Sequence, residues 1–232
     1  MTETRASALY DSVKEMTVNF ALRPGERINE GALAKRLDAS RTPLREALNR
    51  LVAERLIDFR PGSGFFCRAL EAQDIYDLYD LRRILETAAI AAACENGSDA
   101  DIAAIRTGPF ARDQDFEDRT IAQIVAHDEA FHLALARLSD NHELVRQLIA
   151  INERIRFIRW IDMGTRATRT KGEHAAILTA VEARDAATAS ARMTAHITKR
   201  MDQIVAAVRE GYSSIYMDGP EQVFSRRVTE ET

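Results

Sequence analysis

The chain has 232 residues, 46% of them hydrophobic and 29% charged, and a formal net charge of -4. That is enough apolar material for one large domain or two modest ones, while no apolar run approaches the roughly 18 residues a bilayer span requires. The charge is uneven, with 12 Lys/Arg against 9 Asp/Glu in residues 1–70 and 20 against 27 in the remainder. A mildly basic head on an acidic body suits a protein that needs phosphate attraction at one end only. The opening Met1-Thr2-Glu3-Thr4-Arg5 lacks the basic and apolar regions of a secretory signal, and Cys67 and Cys94 stand apart without CxxC spacing. Both features are expected of a cytoplasmic protein with reduced, structural thiols.

Helical periodicity dominates. Residues 5–20 carry Ala8, Leu9, Val13, Met16 and Phe20 at three- and four-residue steps, and Pro24-Gly25 breaks that helix. Helical spacing resumes at about 29–37 and again at about 43–54. Two short β-prone segments, Leu56-Ile57-Asp58-Phe59 and Phe65-Phe66-Cys67, flank Pro61-Gly62-Ser63-Gly64 and predict a hairpin. From Gln73 onward the expected helices are 73–95, 99–106, 117–138, 141–162, 170–184 and 186–210. The turn residues Asn96-Gly97-Ser98, Ser139-Asp140-Asn141 and Met163-Gly164-Thr165 separate some of them. Short connections make neighbours antiparallel. The expected fold is therefore mainly α: a winged helix-turn-helix over 1–70, an all-α antiparallel helical bundle over 71–212, and an irregular tail over 213–232.

The stretch Leu33-Ala34-Lys35-Arg36-Leu37-Asp38-Ala39-Ser40-Arg41-Thr42-Pro43-Leu44-Arg45-Glu46-Ala47-Leu48 defines the head's chemistry. Leu33, Ala34 and Leu37 make one apolar face, and Asp38-Ala39-Ser40 is a tight turn. Thr42 is expected to cap the second helix, with Pro43 at its first position. Leu44, Ala47, Leu48 and Leu51 point one way, leaving Arg41, Arg45 and Asn49 at four-residue spacing on the opposite side. Such a face suits the major groove of double-stranded DNA, where arginine bonds guanine and Ser, Thr or Asn serve bases or phosphates. The glycines of the hairpin allow a close approach to the neighbouring backbone.

The run Ser40-Arg41-Thr42-Pro43-Leu44-Arg45-Glu46-Ala47-Leu48, preceded by Leu22-Arg23-Pro24-Gly25-Glu26 and followed by the glycine hairpin, resembles the GntR family of bacterial transcription regulators. The helical remainder resembles the FCD effector domain of the family's FadR-type branch. The resemblance implies DNA contacts at Ser40, Arg41, Thr42, Arg45 and Gly62, and a homodimer on a palindromic operator. This chain departs from the family at two positions. Gly31 stands where some members carry a DNA-contacting arginine, so that phosphate contact is either missing or replaced by Lys35. Arg55 replaces the glycine common after the recognition helix.

Asp128 and His132 lie four apart on one expected helix and share a face. His174 is ten residues before Arg184 and His196 eleven after Asp185, so an antiparallel pair sets them level, each about 15 Å from the turn. One carboxylate and three imidazoles suit a divalent transition ion, zinc first and nickel, manganese or iron as alternatives. The FCD resemblance puts the family's metal ligands on the same four residues. His127 and His142 are excluded by direction and by position. Arginines on the inner faces would complete a site for a small organic acid. By resemblance Arg82 fits best, with Arg83 as fallback, and Arg156 and Arg159 beside Trp160 are further candidates. The expectation is a transcription regulator, in repressor form, whose operator affinity follows a carboxylate effector bound at the metal. The competing reading is a metal-dependent enzyme with an accessory winged module, for which the sequence offers no HExxH and no placed base.

Overall fold

The computed structural model describes residues 5–108, 119–166, 172–199 and 201–218, together with residue 225. The head is built from α1 (Arg5–Val18), α2 (Glu30–Arg36), α3 (Arg41–Ala53) and an antiparallel hairpin of β1 (Ile57–Arg60) and β2 (Gly64–Cys67). Asn29 caps α2 by accepting from the Ala32 amide at 3.0 Å. Asp38, at φ +47, turns the chain into α3. The cap of α3 is Ser40 and not Thr42, so Pro43 is the third helical residue. The Ser40 side chain makes no cap bond, and Pro43 removes the third-position amide as one of the two donors such a cap could use. In the hairpin Ile57 pairs with Cys67 and Arg60 with Gly64. Gly62 and Gly64 take φ +75 and +92, values that side-chain-bearing residues rarely adopt. Leu9, Val13, Leu33, Leu44, Leu48, Leu51, Ile57 and Phe65 bury the apolar faces of these elements in one cluster.

The helical part comprises α4 (Ala72–Asn96), α5 (Asp99–Thr107), α6 (Ile121–Arg137), α7 (His142–Arg166), α8 (Glu173–Glu182), α9 (Ala186–Ile197) and α10 (Met201–Ser213). Helix α4 packs on α6, α7, α8, α9 and α10 and so forms the spine of the bundle. Three expectations need correction. The helix expected over 186–210 is interrupted at Thr198–Lys199, where the Lys199 ammonium reaches Asp162 at 2.7 Å. The turn expected at Met163-Gly164-Thr165 is absent, because α7 continues to Arg166. The chain after Gly211 stays helical through Ser213 and then forms a π-helical turn, Ser214–Asp218; most of the remaining tail lies outside the described residues.

Head and bundle touch along α7. Phe20, at φ +52, is buried in the bundle's cluster with its ring edge-on to Phe157 at 5.1 Å. Lys14 of α1 bridges Glu153 of α7 at 2.7 Å and Glu54, behind α3, at 3.3 Å. Arg68, in the link between β2 and α4, donates to the Arg154 carbonyl. No helix among the described residues is long and apolar enough to cross a membrane.

Candidate metal centre and DNA-facing surface

Helix α6 starts at a capping box, in which the Thr120 hydroxyl accepts from the Gln123 amide and the Gln123 side chain accepts from Thr120. Two turns on, Asp128 and His132 face inward, where His174 of α8 and His196 of α9 meet them. One donor atom from each of the four residues lies within 4.8 Å of all the others. The His196 Nε2 is 3.1 Å from that of His132 and 3.3 Å from that of His174. Asp128 Oδ1 is 3.1 Å from His174 Nε2 and 3.9 Å from His196 Nε2. Donors on a tetrahedral ion with bonds of about 2.0–2.1 Å stand roughly 3.3 Å apart, which the separations of 3.1, 3.3 and 3.1 Å match while the 3.9 Å one is wider.

The outer contacts decide what these rings can do. His132 Nδ1 contacts the Glu86 carboxylate of α4, and His196 Nδ1 contacts that of Glu173 at 2.5 Å. A carboxylate on Nδ1 makes that nitrogen the donor and leaves Nε2 with its lone pair. Converging lone pairs beside a carboxylate repel one another unless a cation lies between them, and the donor set therefore fits a metal ion. Burial resists charge on Asp128, but Arg159, which donates to it, and His132 hold its carboxyl well below the usual range. Burial likewise opposes the Glu86 carboxylate, yet the adjacent Arg82 and His132 bring it down to about 2. Burial lowers the His196 pKa, which favours the neutral, ligating ring.

Beside this cluster is a small cavity, partly open to solvent. Tyr79, Arg82, Arg159, Asp162 and Lys199 line it together with Asp128 and His196. The four arginines singled out in the sequence divide. Arg82 is 4% exposed and bonds Glu86 at 2.5 Å, while its Nη2 is buried without a hydrogen-bond partner. Arg159 is equally buried and ties Asp128 to Glu129. Arg83 lines an adjacent cavity and pairs with Asp80 at 2.7 Å. Arg156 pairs with Glu129 at 3.0 Å and is not among the lining residues. Trp160 packs near Phe157 and does not line the cavity either; the aromatic wall there is Tyr79. Sequence reasoning missed Glu86, Glu173, Tyr79, Asp162 and Lys199. Glu86 had a signal, since an Arg82/Glu86 pair at i,i+4 interrupts an otherwise apolar stripe of α4.

On the head, Lys35, Ser40, Arg41, Thr42, Arg45, Asn49 and Gly62 are all exposed, and the α3 residues among them lie opposite its buried leucines. Arg45 Nη1 is 3.1 Å from Glu30 Oε2, and its guanidinium lies 5.5 Å from the Phe65 ring centroid. At Gly31, an added Cβ would lie 3.6 Å from Arg41 Nη2.

Residues 5–67 match the family of bacterial regulatory proteins called the gntR family, and residues 77–199 match the FCD domain. The chain belongs to the GntR family of bacterial transcriptional regulators. This GntR regulator is 42% identical over 201 residues to the Nta operon transcriptional regulator of Aminobacter aminovorans, covering 87% of its own length and 95% of that protein. It is 27% identical over 200 residues to the HTH-type transcriptional repressor GlaR of Escherichia coli, covering 81% and 90%. The solved structure of E. coli McbR/YncC matches with a TM-score of 0.62 at 22% identity, covering 91% of this chain and all of that one; this likeness shows the fold. The GntR chain is accordingly a DNA-binding transcriptional regulator with an effector domain, and its relatives are regulators, not enzymes.

Proposed function

We propose that this regulator is a homodimeric, cytoplasmic repressor that binds a palindromic operator in double-stranded DNA and is controlled by a small organic acid bound at a metal ion. The single observation that carries the reading is the convergence of Asp128, His132, His174 and His196 beside a cavity that holds Arg82. Asp128 and the three imidazoles would hold the ion, for which zinc is the first choice. When bound, it supplies a positive anchor for a carboxylate. Arg82 orients the acid from the α4 side with its spare buried N–H, and Arg159 keeps Asp128 ionised and in place. Tyr79 walls the cavity and limits the size of the acid.

Helix α7 offers the route from this site to DNA. Its Arg159 holds a ligand of the metal, and its Glu153, Arg154 and Phe157 contact the head. A ligand that changes how Asp128 is held therefore acts on a rod against which the head is seated. Operator affinity then changes only by as much as the acid discriminates between the two head placements. A repressor reading is supported by the name of the GlaR relative. Two copies would place their α3 helices in successive major grooves about one helical turn apart, with Ser40, Arg41, Thr42, Arg45 and Asn49 at the bases or phosphates and Lys35 and Gly62 at the backbone. The exposed Leu81 and Ile84 of α4 offer apolar surface suited to pairing. Calorimetry with acetate, lactate, malonate and citrate, before and after chelator treatment, tests the effector site. Binding by at least one acid that vanishes with the metal is the expected outcome; equal heats in both states would rule the site out.

A further inference from the structure

We infer that Glu30 is a specificity-determining positioning residue, which fixes the guanidinium of Arg45 for one base. The inference rests on the reading above that Arg45 meets a base. Glu30 opens α2, and both of its carboxylate oxygens lie near Arg45 Nη1, at 3.1 and 3.3 Å. The same carboxylate sits beside the base of the wing, 3.8 Å from where a Cβ on Gly64 would stand. The Phe65 ring lies 5.5 Å from the Arg45 guanidinium carbon. The arginine is thus held between the first turn of α2 and the hairpin, while Arg41 lies over the bare backbone of Gly31 next door.

The contact has little to do with stability. The Arg45 side chain is 52% exposed, and an exposed ion pair contributes little net stability. Its consequence lies in what it leaves available. Glu30 occupies Nη1 only, so Nε and Nη2 remain on one edge of the guanidinium, as the paired bonds to guanine O6 and N7 require. A free arginine side chain samples many rotamers and can swing to a phosphate instead. Anchoring its plane removes part of that freedom, and the carboxylate itself repels any phosphate in the same space. The repulsion acts against binding at wrong sequences, and the anchoring lowers the ordering cost at the right base, so both widen discrimination.

The test uses full-length, metal-loaded protein and a duplex selected by that protein from a random library. Fluorescence anisotropy then compares this duplex with versions carrying one substituted base pair at each position. Arg45→Ala is expected to abolish discrimination at one base pair of each half-site. Glu30→Ala is expected to reduce discrimination at that same pair about tenfold and to tighten binding to unrelated DNA, with Glu30→Gln intermediate. In the Arg45→Ala background, Glu30→Ala is expected to change discrimination no further. If Arg45→Ala loses discrimination and Glu30→Ala keeps it, the inference is overturned and the role of Arg45 stands. If Arg45→Ala keeps discrimination at every position, the role of Arg45 falls and the inference with it.

Discussion

At the scale of single residues, this chain tolerates several local costs whose effects are measurable. Arg55 adopts φ +58 after the recognition helix, where glycine is common among the proteins this chain resembles. A left-handed conformation costs an L-residue about 1–2 kcal/mol, and glycine pays part of that back in chain entropy. Arg55→Gly is therefore expected to raise unfolding stability by about 1 kcal/mol in urea titrations, and an unchanged or lower midpoint would argue against strain there. Cys67 sits under the junction, where burial pushes its thiol up to about 12 from an ordinary 9.0. Below pH 9 the group is protonated in both folded and unfolded chains and has no effect on stability. Above pH 9 the unfolded chain loses the proton first, so stability falls as pH rises toward 12. Cys67→Ala is expected to flatten this alkaline loss, and the native thiol is expected to resist aromatic disulfide reagents at pH 8. The cluster of Asp128, His132, His174 and His196 was legible in the sequence from helix spacing and distance from a shared turn, together with the resemblance to the FCD domain. Their partners Glu86 and Glu173 were not, because nothing in a helical pattern says which carboxylate a ring nitrogen will meet across the bundle.

At the scale of elements, periodicity located the helices, and tertiary contacts set several of their ends. The hairpin and the first three helices follow from Pro24-Gly25, Gly62 and the leucine spacing. The cap of α3 does not, because Ser40, Thr42 and Pro43 compete for the start and the turn from α2 settles it. The interruption at Thr198–Lys199 has neither proline nor glycine to announce it; it coincides with the Lys199–Asp162 bond. Gly164 misled in the other direction, since one glycine costs a long helix only about 1 kcal/mol, less than α7 gains by packing on α4, α6 and α10. Helix α6 depends more on its start. Thr120→Ala removes the capping box that leads into Asp128 and His132. A loss of about 1 kcal/mol is expected in chemical denaturation, and Thr120→Ser is expected to recover most of it. No difference between the two variants would show that packing alone fixes the start of α6.

At the scale of the whole molecule, one long helix links chemistry to placement. Helix α7 holds Asp128 through Arg159 on one side and seats the head through Glu153, Arg154 and Phe157 on the other. The sequence shows the two functions as separate segments, and this link emerges only from the packing. Leu81 and Ile84 of α4 are 43% and 49% exposed on the single chain, and the proposed dimer would cover them. Ile84→Glu is expected to convert a dimer into a monomer in light scattering and to leave the circular dichroism of the helices intact. A dimer that persists with this charge on α4 would place the interface elsewhere.

The most direct test of the central claim is operator affinity, measured by anisotropy as an organic acid is titrated against three forms of the protein. These are the metal-loaded protein, the chelator-treated protein and His174→Ala. An acid that shifts the metal-loaded midpoint about tenfold and leaves the other two unmoved is the predicted result. A shift of equal size in all three forms would contradict the account, because the acid would then act without the metal centre.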